Sequence, residues 1–187
     1  VWISTGDGGL YWLSQKSSRF PNFSLQRTDG SPAFFSTIDR SRDGMLWCSS
    51  GGRVYKIDIS RRAVLRRIDV QVGSSPRGRP EFIDAALMDE HDNLWCGTWG
   101  QGLFKVNLAT GRVDNYRYEK GVVGYSIARS LARGSGDTIW TASYYDGFMQ
   151  FDPSTGSFLR YNGIRTESAW HVMRDRQGRI WAGDDLN

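Results

Sequence analysis

The sequence predicts an all-β protein, and three observations carry that prediction. Five tryptophans, Trp2, Trp47, Trp95, Trp140 and Trp181, recur at intervals of 45, 48, 45 and 41 residues. Each sits in a short apolar run between polar turns, and 22 glycines against five prolines punctuate the 187 residues. A period of about 40–50 residues is the range of propeller blades, each a small antiparallel sheet. Helical repeats share that period, but turns this frequent leave no room for helices of useful length. The expected architecture is a β-propeller of about four four-stranded antiparallel blades, cut from a larger ring.

The repeats align on tryptophan: VWISTGDGGLYWL from Val1, IDRSRDGMLWCSSGGRVYKID from Ile38 and MDEHDNLWCGTWGQGLFKVN from Met88. LARGSGDTIWTASYYDGFMQFD follows from Leu131, and a partial copy, MRDRQGRIWAGDD, begins at Met173. The blades span residues 1–30 (partial), 31–72, 80–118, 123–162 and 166–187 (partial), together one propeller segment over 1–187. Strand A, innermost, is expected at 33–39, 82–89, 125–132 and 168–175, and strand B carries the tryptophans. Strand C follows a glycine turn, as in Leu103 to Asn107 and Phe148 to Asp152. Strand D follows a second turn, as in Arg112 to Tyr118 and Ser157 to Asn162.

Alternation explains the B strand. Residues two after tryptophan share its face and are small: Ser4, Ser49, Gly97, Ala142 and Gly183. Burying an indole removes ~150–250 Å² from water, roughly 4–6 kcal/mol as an upper bound. Trp2, Trp47, Trp95, Trp140 and Trp181 are therefore expected as the core between blades. Three residues after tryptophan stands a hydroxyl (Thr5, Ser50, Thr98, Ser143), placed to satisfy the turn backbone. Gly9, Gly52, Gly102 and Gly147 then restart the chain where positive φ is expected, the second copy having a tighter turn. The C–D turns NLATG and DPSTG end on Gly111 and Gly156, where the second repeat has Arg62.

The ends do not respect blade boundaries. The chain opens on a B strand and closes just after another, so a fragment of a ring is expected. Open blade faces invite association, a second copy of the chain included.

Charge and chemistry narrow the function. The net charge of +4 is built from 20 arginines and only four lysines. Arginine suits carboxylates, phosphates and sulfates, but these arginines are dispersed, which disfavours nucleic acid. No apolar stretch approaches the ~20 residues a membrane helix needs. Cys48 and Cys96 occupy one position in successive repeats and are expected as buried free thiols on different blades. No metal-ligand spacing, nucleophile elbow or P-loop is present. His91 reads as a turn residue, His171 as core or channel packing, and Asp43, Asp89 and Asp92 as turn caps. No catalytic residue, cofactor or metal is expected.

With the repeat laid out, it resembles the two-component regulator propeller repeat, roughly D-x-x-G-x-L-W-x-G-T-x-x-G-G-L-x-x-φ-D with φ apolar. Asp89, Leu94, Trp95, Gly97, Thr98, Gly102 and Leu103 match in the third copy, and Asp175, Gly178, Trp181 and Gly183 in the fifth. The third copy has Asn93 where glycine is usual, and the fourth lacks the leading aspartate. The resemblance implies a bacterial periplasmic or extracytoplasmic sensor region with rings of about seven blades. It implies downstream signalling domains too, a histidine kinase or diguanylate cyclase beyond a membrane helix, and an oligosaccharide ligand. Sialidases and virginiamycin-lyase-like propellers offer enzyme readings, but SRDGMLW departs from the spacing of the first. The second needs a histidine and acid pair that does not assemble here. A protein-interaction propeller is the stronger alternative.

In such a propeller the B–C and D–A turns share one face. That face should carry Trp99, Gln101, Tyr144, Tyr145 and Asp146, with Arg77 and Arg79 from the long loop GSSPRGRPE. Aromatic planes suit sugar rings and arginine forks suit uronate or sulfate. Alternatively, Trp99 and Tyr144 simply wedge neighbouring blades.

Overall fold

A computed structural model describes residues 2–4, 9–12, 22–24, 35–41, 43–73, 82–118, 128–163 and 168–184, the first three stretches as backbone only. The chain divides into two compact units, Val1–Gln71 and Val72–Asn187. Every described sheet is antiparallel, and there is no helix among the described residues.

In the first unit, β1 (Trp2–Ser4), β2 (Gly9–Trp12) and β3 (Asn22–Ser24) form a three-stranded sheet. A four-stranded sheet follows in the order β4 (Thr37–Arg40), β5 (Leu46–Ser50), β6 (Arg53–Asp58), β7 (Ala63–Asp69). Its face opposite Trp47 holds a core of Phe35, Leu46, Cys48 and Ile57.

The second unit contains the third blade, β8 (Ile83–Met88), β9 (Asn93–Thr98), β10 (Leu103–Asn107) and β11 (Val113–Tyr116). The fourth is β12 (Ser130–Arg133), β13 (Ile139–Ser143), β14 (Gly147–Asp152) and β15 (Ser157–Arg160). β16 (Ala169–Arg174) and β17 (Ile180–Asp184) pair as a two-stranded sheet. The first strands β8, β12 and β16 lie side by side, as innermost strands do in a propeller.

Packing between the third and fourth blades shows why the repeat recurs. Trp95 is 1% exposed and joins Leu103, Ala128, Ile139 and Phe151 in one core. Its ring stands 5.7 Å from Tyr116 and 5.5 Å from Phe151, near edge-to-face on the latter. Gly97, two after Trp95, lies against the Ala128 carbonyl so closely that a Cβ would overlap it. The gap predicted beside the indole is filled by the next blade's backbone, tied down by Ala128 N–H donating to the Thr98 carbonyl at 2.9 Å.

Trp47 is buried as Trp95 is, Trp140 is half-buried and Trp181 is 54% exposed, while the Trp2 side chain lies outside the described residues. At the preceding junction Phe151 pairs with Ile139 and packs beside Phe158 at 4.6 Å. β16 and β17 bring Ile180 to the position of Ile139 but pair with no third or fourth strand among the described residues. An apolar hollow of about 250 Å³ remains there, lined by Trp140, Phe148, Tyr161, Ile180 and Ala182.

The turns follow their chemistry. Thr98 Oγ1 accepts from Gln101 N–H at 3.0 Å and donates to the Gly102 carbonyl at 3.0 Å. Positive φ falls on Gly102 and Gly147 as expected, but in the second repeat on Gly51 rather than Gly52. There β5 and β6 are joined by two residues only, and the left-handed site moves to the first of them. At the C–D turns Gly111 (φ 82°) and Gly156 (φ 69°) are matched by Arg62 at φ 52°.

Candidate functional site

The register aligns three dissimilar residues. Ala85, Ser130 and His171 each pair with the second residue after their blade's tryptophan: Gly97, Ala142 and Gly183. The residues just before them, Asp84, Arg129 and Trp170, therefore hold one structural position in three successive blades. On β8 and β16 the register shifts at this position, beside Asp84 and Trp170. Bulges commonly re-aim a side chain in this way. Trp99 and Tyr144 occupy a second repeated position, each immediately after the hydroxyl residue that ends strand B.

These positions meet at one end of the strands. The Arg129 guanidinium carbon stands 3.7 Å from the Trp170 ring centroid and 5.2 Å from that of Trp99. Tyr144 lies 5.9 Å from Trp99, 6.0 Å from Trp170 and 4.9 Å from Tyr145. Trp99, Arg129 and Tyr144 are half-buried, while Tyr145 and Trp170 are exposed. Burial raises the Asp84 carboxyl above its ordinary value, and the nearby positive charge of Arg129 opposes that rise. Below, Ser130 Oγ lies 3.2 Å from His171 Nδ1 and accepts from Val172 N–H at 3.1 Å, joining β12 to β16.

The sequence-predicted residues are placed unevenly. Trp99, Tyr144 and Tyr145 come together. Gln101 is half-buried, its carbonyl accepting from Asn115 Nδ2 at 2.8 Å. Asp146 is 4% exposed and accepts from Ser143 Oγ at 3.3 Å, turned into the β13–β14 turn. Arg77 and Arg79 lie outside the described residues. Sequence reasoning missed Asp84, Arg129 and Trp170, whose shared position carries three different residue types and hence no repeating signal.

The other candidates have structural roles. Asp89 caps its turn by accepting from the main-chain N–H of His91 and Asn93, both at 2.8 Å. Asp43 accepts from Lys56 Nζ at 2.6 Å and from Ser41 and Met45; Lys56 chiefly holds its carboxyl down to about 2. His91 is exposed beside Asp137, at 3.3 Å. Cys48 and Cys96 are free and buried, and burial pushes the Cys48 thiol up to about 12 and raises that of Cys96 also. No group of three or more metal-ligating side chains occurs among the described residues.

Solved structures share this fold. The extracellular domain of BT4673 from B. thetaiotaomicron, from a one component system, matches with a TM-score of 0.76 at 19% identity. The match covers 98% of this chain and 24% of that one. The extracellular domain of the hybrid two component system BT3049 from the same organism matches with a TM-score of 0.55 at 18% identity, covering 98% and 30%. Virginiamycin B lyase from Staphylococcus aureus matches with a TM-score of 0.66 at 12% identity, covering 98% and 62%. No family model and no curated protein matches the chain. The fold is thus that of a β-propeller segment. The chain spans about a quarter of the BT4673 domain, and two of these three neighbours are the kind of receptor region that the repeat resembles.

Proposed function

We infer that this chain is part of an extracytoplasmic sensing propeller of a bacterial signalling receptor, and that it binds an oligosaccharide. The observation that carries this reading is the cluster of Trp99, Tyr144, Tyr145, Trp170 and Arg129, built from three blades at one strand end. Aromatic side chains gathered at one site suit the apolar faces of sugar rings. Arg77 and Arg79, a few residues before β8 in the chain, are further proposed contacts for a charged ligand. The extracellular neighbours support the location, and the repeat resemblance supports relay to a kinase or cyclase in another domain. In this reading the segment binds and does no chemistry of its own.

The test is a thermal-shift panel of neutral and acidic oligosaccharides on the intact chain, with Trp99→Ala alongside. A ligand at 100 times its Kd adds ~2.7 kcal/mol of apparent stability. A shift with one glycan class, lost in Trp99→Ala, is the expected result. No shift across the panel, from a folded chain, refutes glycan sensing and favours a protein-binding scaffold.

A further inference from the structure

Four arginines of the second unit have their donors engaged within the protein, and Arg129 differs from these in its chemistry. Arg133 donates to the Met88 carbonyl, Arg174 to the Gly134 carbonyl at 2.7 Å, Arg112 to Asp114 and Arg179 to Asp175. The Arg129 guanidinium stands over the rings of Trp170 and Trp99, and among the described residues it donates no hydrogen bond. Asp84 is near enough to be felt electrostatically, yet the two form no direct ion pair among the described residues. A guanidinium keeps its charge at any ordinary pH, and stacking leaves its in-plane N–H donors as its means of recognition. Those donors match the paired oxygens of a carboxylate or sulfate.

We propose that Arg129 is the residue that reads ligand charge, so that the oligosaccharide bound at this edge carries an anionic group, a uronate or a sulfate, docked in-plane on the guanidinium. The proposal rests on the glycan-sensing reading and deepens it. Trp99 and Trp170 hold the fork in one orientation, while Asp84 competes weakly with the incoming anion. Ligand binding replaces a loose protein carboxylate by a better-aligned one.

Four probes test this by titration calorimetry on the intact chain: trigalacturonate, its full methyl ester, a heparin-derived sulfated tetrasaccharide and neutral cellotriose. At least one anionic probe should bind, with the ester and cellotriose at least roughly tenfold weaker, as expected for loss of a charge-assisted contact. Arg129→Gln should weaken the anionic probe by about ten- to a hundredfold, with Arg129→Lys recovering only part. Asp84→Asn should tighten the same probe severalfold, a gain that misfolding cannot mimic. If a neutral probe binds as well as any anionic one, or Arg129→Gln leaves anion affinity unchanged while Trp99→Ala abolishes it, the role of Arg129 is refuted and the glycan site stands. If no probe binds, both fall.

Discussion

Asp89 accepts the indole N–H of Trp95 at 2.9 Å, on the carboxylate oxygen that also takes the Asn93 side-chain amide. Asp175 does the same for Trp181 at 2.8 Å. The spacing of six residues lets one aspartate cap the A–B turn and satisfy the indole that the next strand carries inward. In the second and fourth repeats this position holds Ser41 and Gly134. A buried indole N–H needs an acceptor, so the aspartate joins turn to core where it occurs.

Asp89→Ala should therefore destabilise the protein by about 2 kcal/mol, since it strands buried donors. Burial alone would raise the Asp89 carboxyl, but the hydrogen bonds from Asn93, Trp95 and His91 outweigh it and leave the value lowered. A carboxyl lowered by folding stabilises the native state above its unfolded value and loses that contribution as pH falls through the folded one. The difference in Tm between wild type and Asp89→Ala should be constant above about pH 5 and shrink in more acid solution. A difference independent of pH down to the acid transition would show that the charge plays no part.

Gly97 and Gly183 occupy the same repeat position in different surroundings. A Cβ at Gly97 overlaps the Ala128 backbone, whereas one at Gly183 meets nothing. Gly97→Ala should cost about 1–3 kcal/mol by overpacking; Gly183→Ala should lie within about 0.5 kcal/mol of wild type. Urea unfolding of the two variants gives the comparison directly.

Arg62 stands at φ 52° where the other C–D turns use glycine. The left-handed conformation costs a side-chain-bearing residue about 1–2 kcal/mol, partly offset by the extra unfolded-state freedom of glycine. Arg62→Gly should stabilise the protein by up to about 1 kcal/mol. A loss of stability would mean that the Arg62 side chain makes a compensating contact.

Thr141 is fully buried, and its hydroxyl has no hydrogen-bond partner among the described residues. The same repeat position holds Cys48 and Cys96, both buried, and in the fifth repeat Ala182. Thr141→Val keeps the shape and removes the unsatisfied group, so unfolding should show no loss and a gain of up to about 1 kcal/mol.

The expected A strands were legible because their apolar runs were bounded by turns. Observed strands at Ile83–Met88 and Ala169–Arg174 lie within the ranges read as 82–89 and 168–175, while those at Thr37–Arg40 and Ser130–Arg133 each run one residue past the ranges read as 33–39 and 125–132. Thr98 could be placed in its turn because its partners are three and four residues away. The exposure of Trp181 was not legible, because its repeat pattern is intact while its burial depends on strands that do not cover it among the described residues.

By itself, then, the sequence determined the β class, the strand order within the blades, and the turn residues apart from the second repeat, where Gly51 replaces Gly52. Those features rest on alternation and on hydrogen bonds between near neighbours, which local spacing encodes. Only the tertiary structure decided that Asp84, Arg129 and Trp170 occupy one position in three blades and that the Arg129 guanidinium stands over two indoles. Residues some forty positions apart meet there through blade-to-blade packing, and a position filled by an acid, a base and an indole leaves no periodic trace in the chain.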